Sequence, residues 1–156
     1  MSVKRLKDRV PSAETKCIAT LKEHDLRFHK KSKDGSGKCD AQETSTPSHS
    51  VVGVVYEISE AEKPQLDAKE GLGHGYEEKL VTLTTQAGEV IEAVTYYATS
   101  IDSNLKPYQW YVHHVLTGAE ENCLPENYVQ RLRGISSIPD PNPERHDREM
   151  AIYANK

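Results

Sequence analysis

The residues best able to do chemistry lie in one run, Leu66-Asp67-Ala68-Lys69-Glu70-Gly71, followed by Leu72-Gly73-His74-Gly75-Tyr76-Glu77. Leu66 and Glu70 are four apart, so on a helix they share one face. If Leu66 points into the core, Glu70 is carried toward the interior, where loss of solvent favours its protonated form. Gly71 supplies the left-handed residue that commonly ends a helix. The carboxylate then stands at the helix's lip beside a glycine loop, placed to take up and return a proton. The plainer reading makes Glu70 one polar residue in a last turn, and the rest of the chain decides between the two.

Other chemistries find less support. His113-His114 are adjacent, so on a helix their side chains diverge by about 100° and do not chelate one ion together. His24, His29, His49, His74 and His146 show no HxxxH or HxH spacing, so no metal site is expected. Cys123 falls in a loop but has no histidine assigned to it by spacing, and no GxSxG elbow is present. Gly35-Ser36-Gly37-Lys38 resembles a phosphate loop, yet Ser32 replaces the earlier glycine and Cys39 stands where Ser or Thr is required. A turn fits that segment better than a nucleotide site. Tyrosine is frequent for so few aromatics, 8 against one Phe and one Trp. For Tyr56 and Tyr128 a place in the core fits best. The others suggest hydroxyl donors around a single general base, a pocket for a small polar substrate.

The bulk properties narrow the setting. A chain of 156 residues is long enough for one domain with its own core. A net charge of -4 and a pI near 6.0 argue against a nucleic-acid binder or a basic membrane-surface protein. No apolar run approaches the ~20 residues of a membrane span. Cys17, Cys39 and Cys123 are odd in number and scattered, which suits a reducing cytoplasm better than a disulfide framework.

The elements that must hold Glu70 follow from periodicity. Met1 to Val10 predicts a basic amphipathic helix with Val3, Leu6 and Val10 on one stripe, stopped by Pro11. Residues 17–21 and 26–29 read as two strands around a turn at Glu23-His24-Asp25, and residues 30–38 as a loop. Residues 42–50 read as a second loop. Residues 51–58 form the most strand-like run, covered on both faces, and Gly53 within it suggests a bulge or a close approach by another backbone or a ligand. Ser59 with Glu62 matches a capping box that opens the helix carrying Glu70, with Pro64 near its start. Residues 78–85 and 90–99 form a hairpin without a clean polar face, as in a small barrel. Helices are predicted over 107–116, from about 125, and over 144–155, with a loop at 117–125 and a proline-rich linker at 136–143.

Taken in order, these residues resemble a known family. Arg5-Leu6-Lys7-x-Arg9-x-Pro11-Ser12-Ala13, Leu26-Arg27-Phe28-His29-Lys30, Gly53-Val54-Val55-Tyr56, Leu66-Asp67-x-x-Glu70-Gly71, Gly75-Tyr76, Thr95-Tyr96, Gly118-Ala119-x-Glu121-Asn122 and Leu124-Pro125 resemble the γ-glutamylcyclotransferase-like and AIG2-like proteins. The match covers residues 1–135 as one domain and leaves 136–156 as linker and peripheral helix. The resemblance implies an α+β fold, a small mixed β-barrel flanked by helices. It also implies a cofactor-free cyclisation of a γ-glutamyl amine or dipeptide to 5-oxoproline. Glu70 falls at the family's catalytic glutamate, Tyr111 at a substrate-contacting tyrosine, and Tyr76, Tyr96 and Gly71 at the pocket. The implied partner is a small γ-glutamyl substrate, with no nucleic acid or membrane, and the oligomeric state is open, a homodimer included. The family opens with a strand and turn reading Tyr-Gly-Ser-Asn, and Met1-Ser2 corresponds to the residues immediately after it; the expectation is a start assigned too late. The alternative function is a binding module of the same fold that does not turn over its ligand.

Overall fold

The computed structural model describes residues 2–154. Helix α1 (Val3–Lys7) is five residues long, and the Ser2 hydroxyl caps it by accepting the N–H of Arg5 at 3.3 Å. It ends before Val10, the boundary set by the periodicity. Leu6, Val10 and Ala13 nevertheless form one buried cluster, against Tyr56, Ile58 and Leu66.

Four antiparallel strands make the main sheet: β1 (Glu14–Lys22), β4 (Ser50–Glu57), β5 (Tyr76–Thr85) and β6 (Val90–Ala98), in the order β4-β1-β5-β6. A ribbon of β2 (His24–Lys31) and β3 (Gly37–Glu43) completes the set. Strand β3 lies beside β6 and β2 beside β4, so the six strands run round a small barrel. The Ala98 N–H tacks the two sheets together by donating to Asp40 Oδ1 at 2.9 Å. The ladders are antiparallel, and parallel pairing is confined to the isolated bridges Leu72 with Tyr76 and Tyr108 with Ile138.

Three local expectations are corrected. The two N-terminal strands do not pair with each other, because only Glu23 separates them, at φ 58°. The tightest common hairpin needs a two-residue loop, so β2 leaves the sheet and β1 pairs with β4. Strand β3 spans the end of one expected loop and the start of the next, since Lys38, Cys39, Asp40, Gln42 and Glu43 lack the β-branched signature of a strand. Gly53 makes neither a bulge nor a close approach to another backbone: it faces Ala19 in register, and a Cβ there would meet nothing within 4 Å. The glycine that does need a bare Cα is Gly37, where a Cβ would stand 2.1 Å from the Phe28 carbonyl oxygen.

Helix α2 (Lys63–Glu70) follows a 3-10 turn at Glu60–Glu62. Only half the capping box forms. Ser59 accepts from the Ala61 N–H, while Glu62 reaches away to accept from the Ser12 N–H and hydroxyl. Gly71 ends the helix at φ 82°, as its sequence position predicts. Helix α3 (Gln109–Glu121) runs through the segment read as a loop from Thr117. Its Ala119 packs with Leu124 and with Tyr128, Val129 and Leu132 of α4 (Glu126–Arg133). Helix α5 (Pro143–Ala151) lies against α3. Its Glu149 is 2.8 Å from His114 Nε2, and Asp140 before it accepts from the Trp110 indole at 2.7 Å. Among the described residues no helix is long and apolar enough to cross a membrane.

Candidate active site

Two cavities meet at Gly53, Val54, Tyr96 and Glu70. The larger, about 720 Å³, is bounded by the inner face of the main sheet and is mainly apolar. The smaller, about 510 Å³, lies between α2, β2, β3 and α3 and gathers the polar groups: Arg9, Lys30, Lys38, Glu70, Tyr76 and Tyr111. It is the candidate site.

Glu70 reaches both cavities from the last turn of α2. Its surroundings are not the apolar interior that the spacing with Leu66 suggested. Arg9 Nη1 donates to Oε1 at 2.8 Å, and the side chain is 20% exposed.

The tyrosines divide into distinct roles. Tyr111 accepts the Cys39 N–H at 3.1 Å, and Tyr76 donates to the Cys39 carbonyl at 2.5 Å. Both backbone polar groups of Cys39 in β3 are therefore engaged, the N–H by a residue of α3 and the carbonyl by a residue of β5. Having accepted from the backbone, Tyr111 keeps its own proton to donate, with only the weak acceptor sulfur of Cys39 to compete for it. Burial pushes the Tyr111 hydroxyl well above the usual phenol range, and Tyr76 likewise, so both remain neutral donors. Burial also pushes the Cys39 thiol up to about 11. Tyr96 lines both cavities but spends its proton on Asp67 Oδ1 at 2.5 Å. Gly71 lines neither cavity, and its left-handed backbone shapes the loop behind Glu70.

Sequence reasoning missed the cations. Arg9 reads as a surface residue of a basic helix, and nothing in its spacing points to Glu70. Lys38 reads as part of a turn, yet it lies in β3 facing Trp110 at 4.3 Å and Tyr111 at 4.6 Å. It is paired with Asp34 Oδ2 at 2.8 Å and Ser36 Oγ at 2.9 Å. Burial lowers the Lys38 ammonium and Asp34 opposes that shift. For Asp34, burial is outweighed by the hydrogen bonds from Lys38 and Ser36, which hold its carboxyl at about 2. Asp40 uses Oδ2 on His29 Nε2 at 2.8 Å and Oδ1 on Ala98, so it serves the framework. Among the described residues no three His, Cys, Asp or Glu side chains converge to hold a metal ion.

The fold and the cavity together define a small α+β barrel domain with one accessible glutamate at its polar mouth. The AIG2-like family model matches residues 50–132, more than half of the chain. Human γ-glutamylcyclotransferase is 32% identical over 141 residues, covering 84% of this chain and 71% of the human protein. The mouse protein of the same name is 31% identical over 136 residues with the same coverage. A solved γ-glutamyl cyclotransferase structure superposes with a TM-score of 0.85 at 28% identity, covering 96% of this chain and 92% of that one. The chain belongs to the AIG2-like, γ-glutamylcyclotransferase family.

Proposed function

We propose that this chain cyclises a γ-glutamyl amine or dipeptide to 5-oxoproline, with Glu70 as the general acid and base. The observation that carries the reading is the placement of Glu70, as an Arg9-paired carboxylate, in the cavity that also holds the Tyr111 hydroxyl. Glu70 takes a proton from the substrate's α-ammonium. The freed amine attacks the γ-carbonyl carbon of the same molecule, forming the ring C–N bond and a tetrahedral oxyanion. Collapse breaks the original amide C–N bond; Glu70 returns its proton to the departing nitrogen, and the surplus proton of the ring nitrogen follows by the same carboxylate, so the amine leaves as an ammonium ion. The Tyr111 O–H is a donor available to the oxyanion. Because attack is intramolecular, the protein's main work is to hold a folded-back conformer. Nothing is oxidised or reduced, so the reaction calls for no redox cofactor. Three free thiols suit a reducing, cytoplasmic setting.

The test is 5-oxoproline release from a panel of γ-glutamyl amines and dipeptides. Wild-type turnover that is lost in Glu70→Gln, with the circular dichroism spectrum retained, supports the reading. Turnover unchanged by Glu70→Gln removes Glu70 from the mechanism. Ligand binding with no 5-oxoproline from the wild type would instead make the domain a non-catalytic binding module.

A further inference from the structure

Lys30 and Lys38 face each other across the β2–β3 ladder. Directly opposed residues of an antiparallel pair project to the same side, and both side chains line the 510 Å³ cavity. Two like charges so placed repel, and each needs an anion. Lys38 has one within the ribbon, in Asp34 and Ser36. Lys30 does not. Its ammonium lies over the Tyr76 ring at 4.7 Å, and no acceptor among the described residues hydrogen-bonds to it or pairs with it within 4.0 Å. The charged groups that it senses are Asp34, Lys33 and Glu70, and Glu70 is already bonded to Arg9. Burial lowers the Lys30 ammonium, which marks a cation partly stripped of water without a fixed partner.

Its position says which anion fits. Lys30 presses against the glycine loop after Glu70, its Cε 3.0 Å and its Nζ 3.3 Å from where a Cβ on Gly75 would stand. Lys30, half-buried, thus stands on the glycine-loop side of the cavity, which we take as its rim, whereas Lys38 stands under Trp110 and Tyr111. In the reaction proposed above, the departing nitrogen must lie beside Glu70 and leave toward solvent. A carboxylate one carbon away from that nitrogen would then fall at the rim.

We propose that Lys30 is a specificity-determining residue that binds the carboxylate of the departing amino acid. This rests on the cyclotransferase reading and adds to it a reason for the chain to favour γ-glutamyl amino acids over γ-glutamylamines. Three free ammonium donors against a carboxylate at a partly dried rim are worth about tenfold in affinity.

The experiment titrates γ-glutamyl-alanine and its C-terminal amide, by calorimetry, into Glu70→Gln protein with and without Lys30→Met. The peptide is expected to bind Glu70→Gln protein about tenfold more tightly than the amide. That ratio is expected to fall to near one when Lys30→Met is added and to recover in part with Lys30→Arg. An unchanged ratio in Lys30→Met, or equal weakening of both ligands, overturns the assignment. Failure of the underlying reading looks different. Absence of 5-oxoproline from wild-type protein that keeps the binding preference sinks catalysis alone, and failure of both ligands to bind together with absence of 5-oxoproline from the wild type sinks both proposals.

Discussion

The guanidinium of Arg9 lies 2.8 Å from Oε1 of Glu70, joining the segment after α1 to the end of α2 across 61 residues of sequence. Both side chains are about one-fifth exposed, at 22% and 20%. Removing one partner leaves the other half-dried and unpaired, a loss larger than the net value of the pair. Arg9→Gln should lower stability by about 1–2 kcal/mol. The double variant with Glu70→Gln should lose less than the sum of the singles. Urea unfolding of the full cycle reads both numbers, and strict additivity would show that the two groups do not act as a pair.

Tyr76 and Tyr111 both bond to the backbone of Cys39 but differ in what their protons do. Tyr76→Phe deletes a donor to the Cys39 carbonyl and should cost stability, about 1–2 kcal/mol. Tyr111→Phe deletes an acceptor for the Cys39 N–H and, in addition, the donor free to serve an oxyanion. Its kcat should fall at least about tenfold further than that of Tyr76→Phe. Equal kcat losses in two variants of equal stability would reduce Tyr111 to a structural clamp.

The two glycines that invite comparison should behave oppositely. Gly37→Ala drives a methyl into the backbone carbonyl of Phe28 and should cost about 3 kcal/mol or prevent folding. Gly53→Ala meets open space in an extended strand, so it should be neutral or stabilising by about 0.5–1 kcal/mol. Thermal unfolding of the two proteins side by side checks the contrast.

Acid should weaken the fold through His114. Its ring is buried, with Nδ1 2.7 Å from the Tyr153 hydroxyl and Nε2 2.8 Å from Glu149. Burial, reinforced by Arg5, lowers its pKa from 6.5 to about 4, although Glu149 pulls the other way. The unfolded chain therefore takes up a proton near pH 6.5 that the folded one refuses until about pH 4. Stability is full above pH 6.5 and declines as pH falls through that window, by about 2 kcal/mol at pH 5. Urea midpoints from pH 5 to 7.5 measure the slope, and the slope should flatten in a His114→Gln variant that folds.

What could be read from the sequence was local. Gly71 ends α2 because only its position and backbone freedom matter, and Ser50–Glu57 forms a strand because β-branched residues fit one almost anywhere. The family resemblance carried the α+β barrel further than periodicity did. Strand β3 escaped because its polar side chains satisfy a cavity, with Asp40 bonded to His29 and Lys38 to Asp34. Such residues look like loop until their partners are known. Arg9 and Lys30 escaped for a related reason. A cation's function depends on which anion comes near it in space, and no spacing within one segment encodes that.

The double grip on Cys39 has a mechanical consequence. Since α3 and β5 are both tied to the backbone of Cys39, the wall formed by Tyr111 and the wall formed by Tyr76 are held to one common residue. The span left to yield is the short arc from Gly71 to Gly75, whose glycines at 71, 73 and 75 already sit at positive φ. That arc meets the cavity through Lys30, whose side chain packs against Gly75, so the glycine run adjoins the site through a side chain of β2.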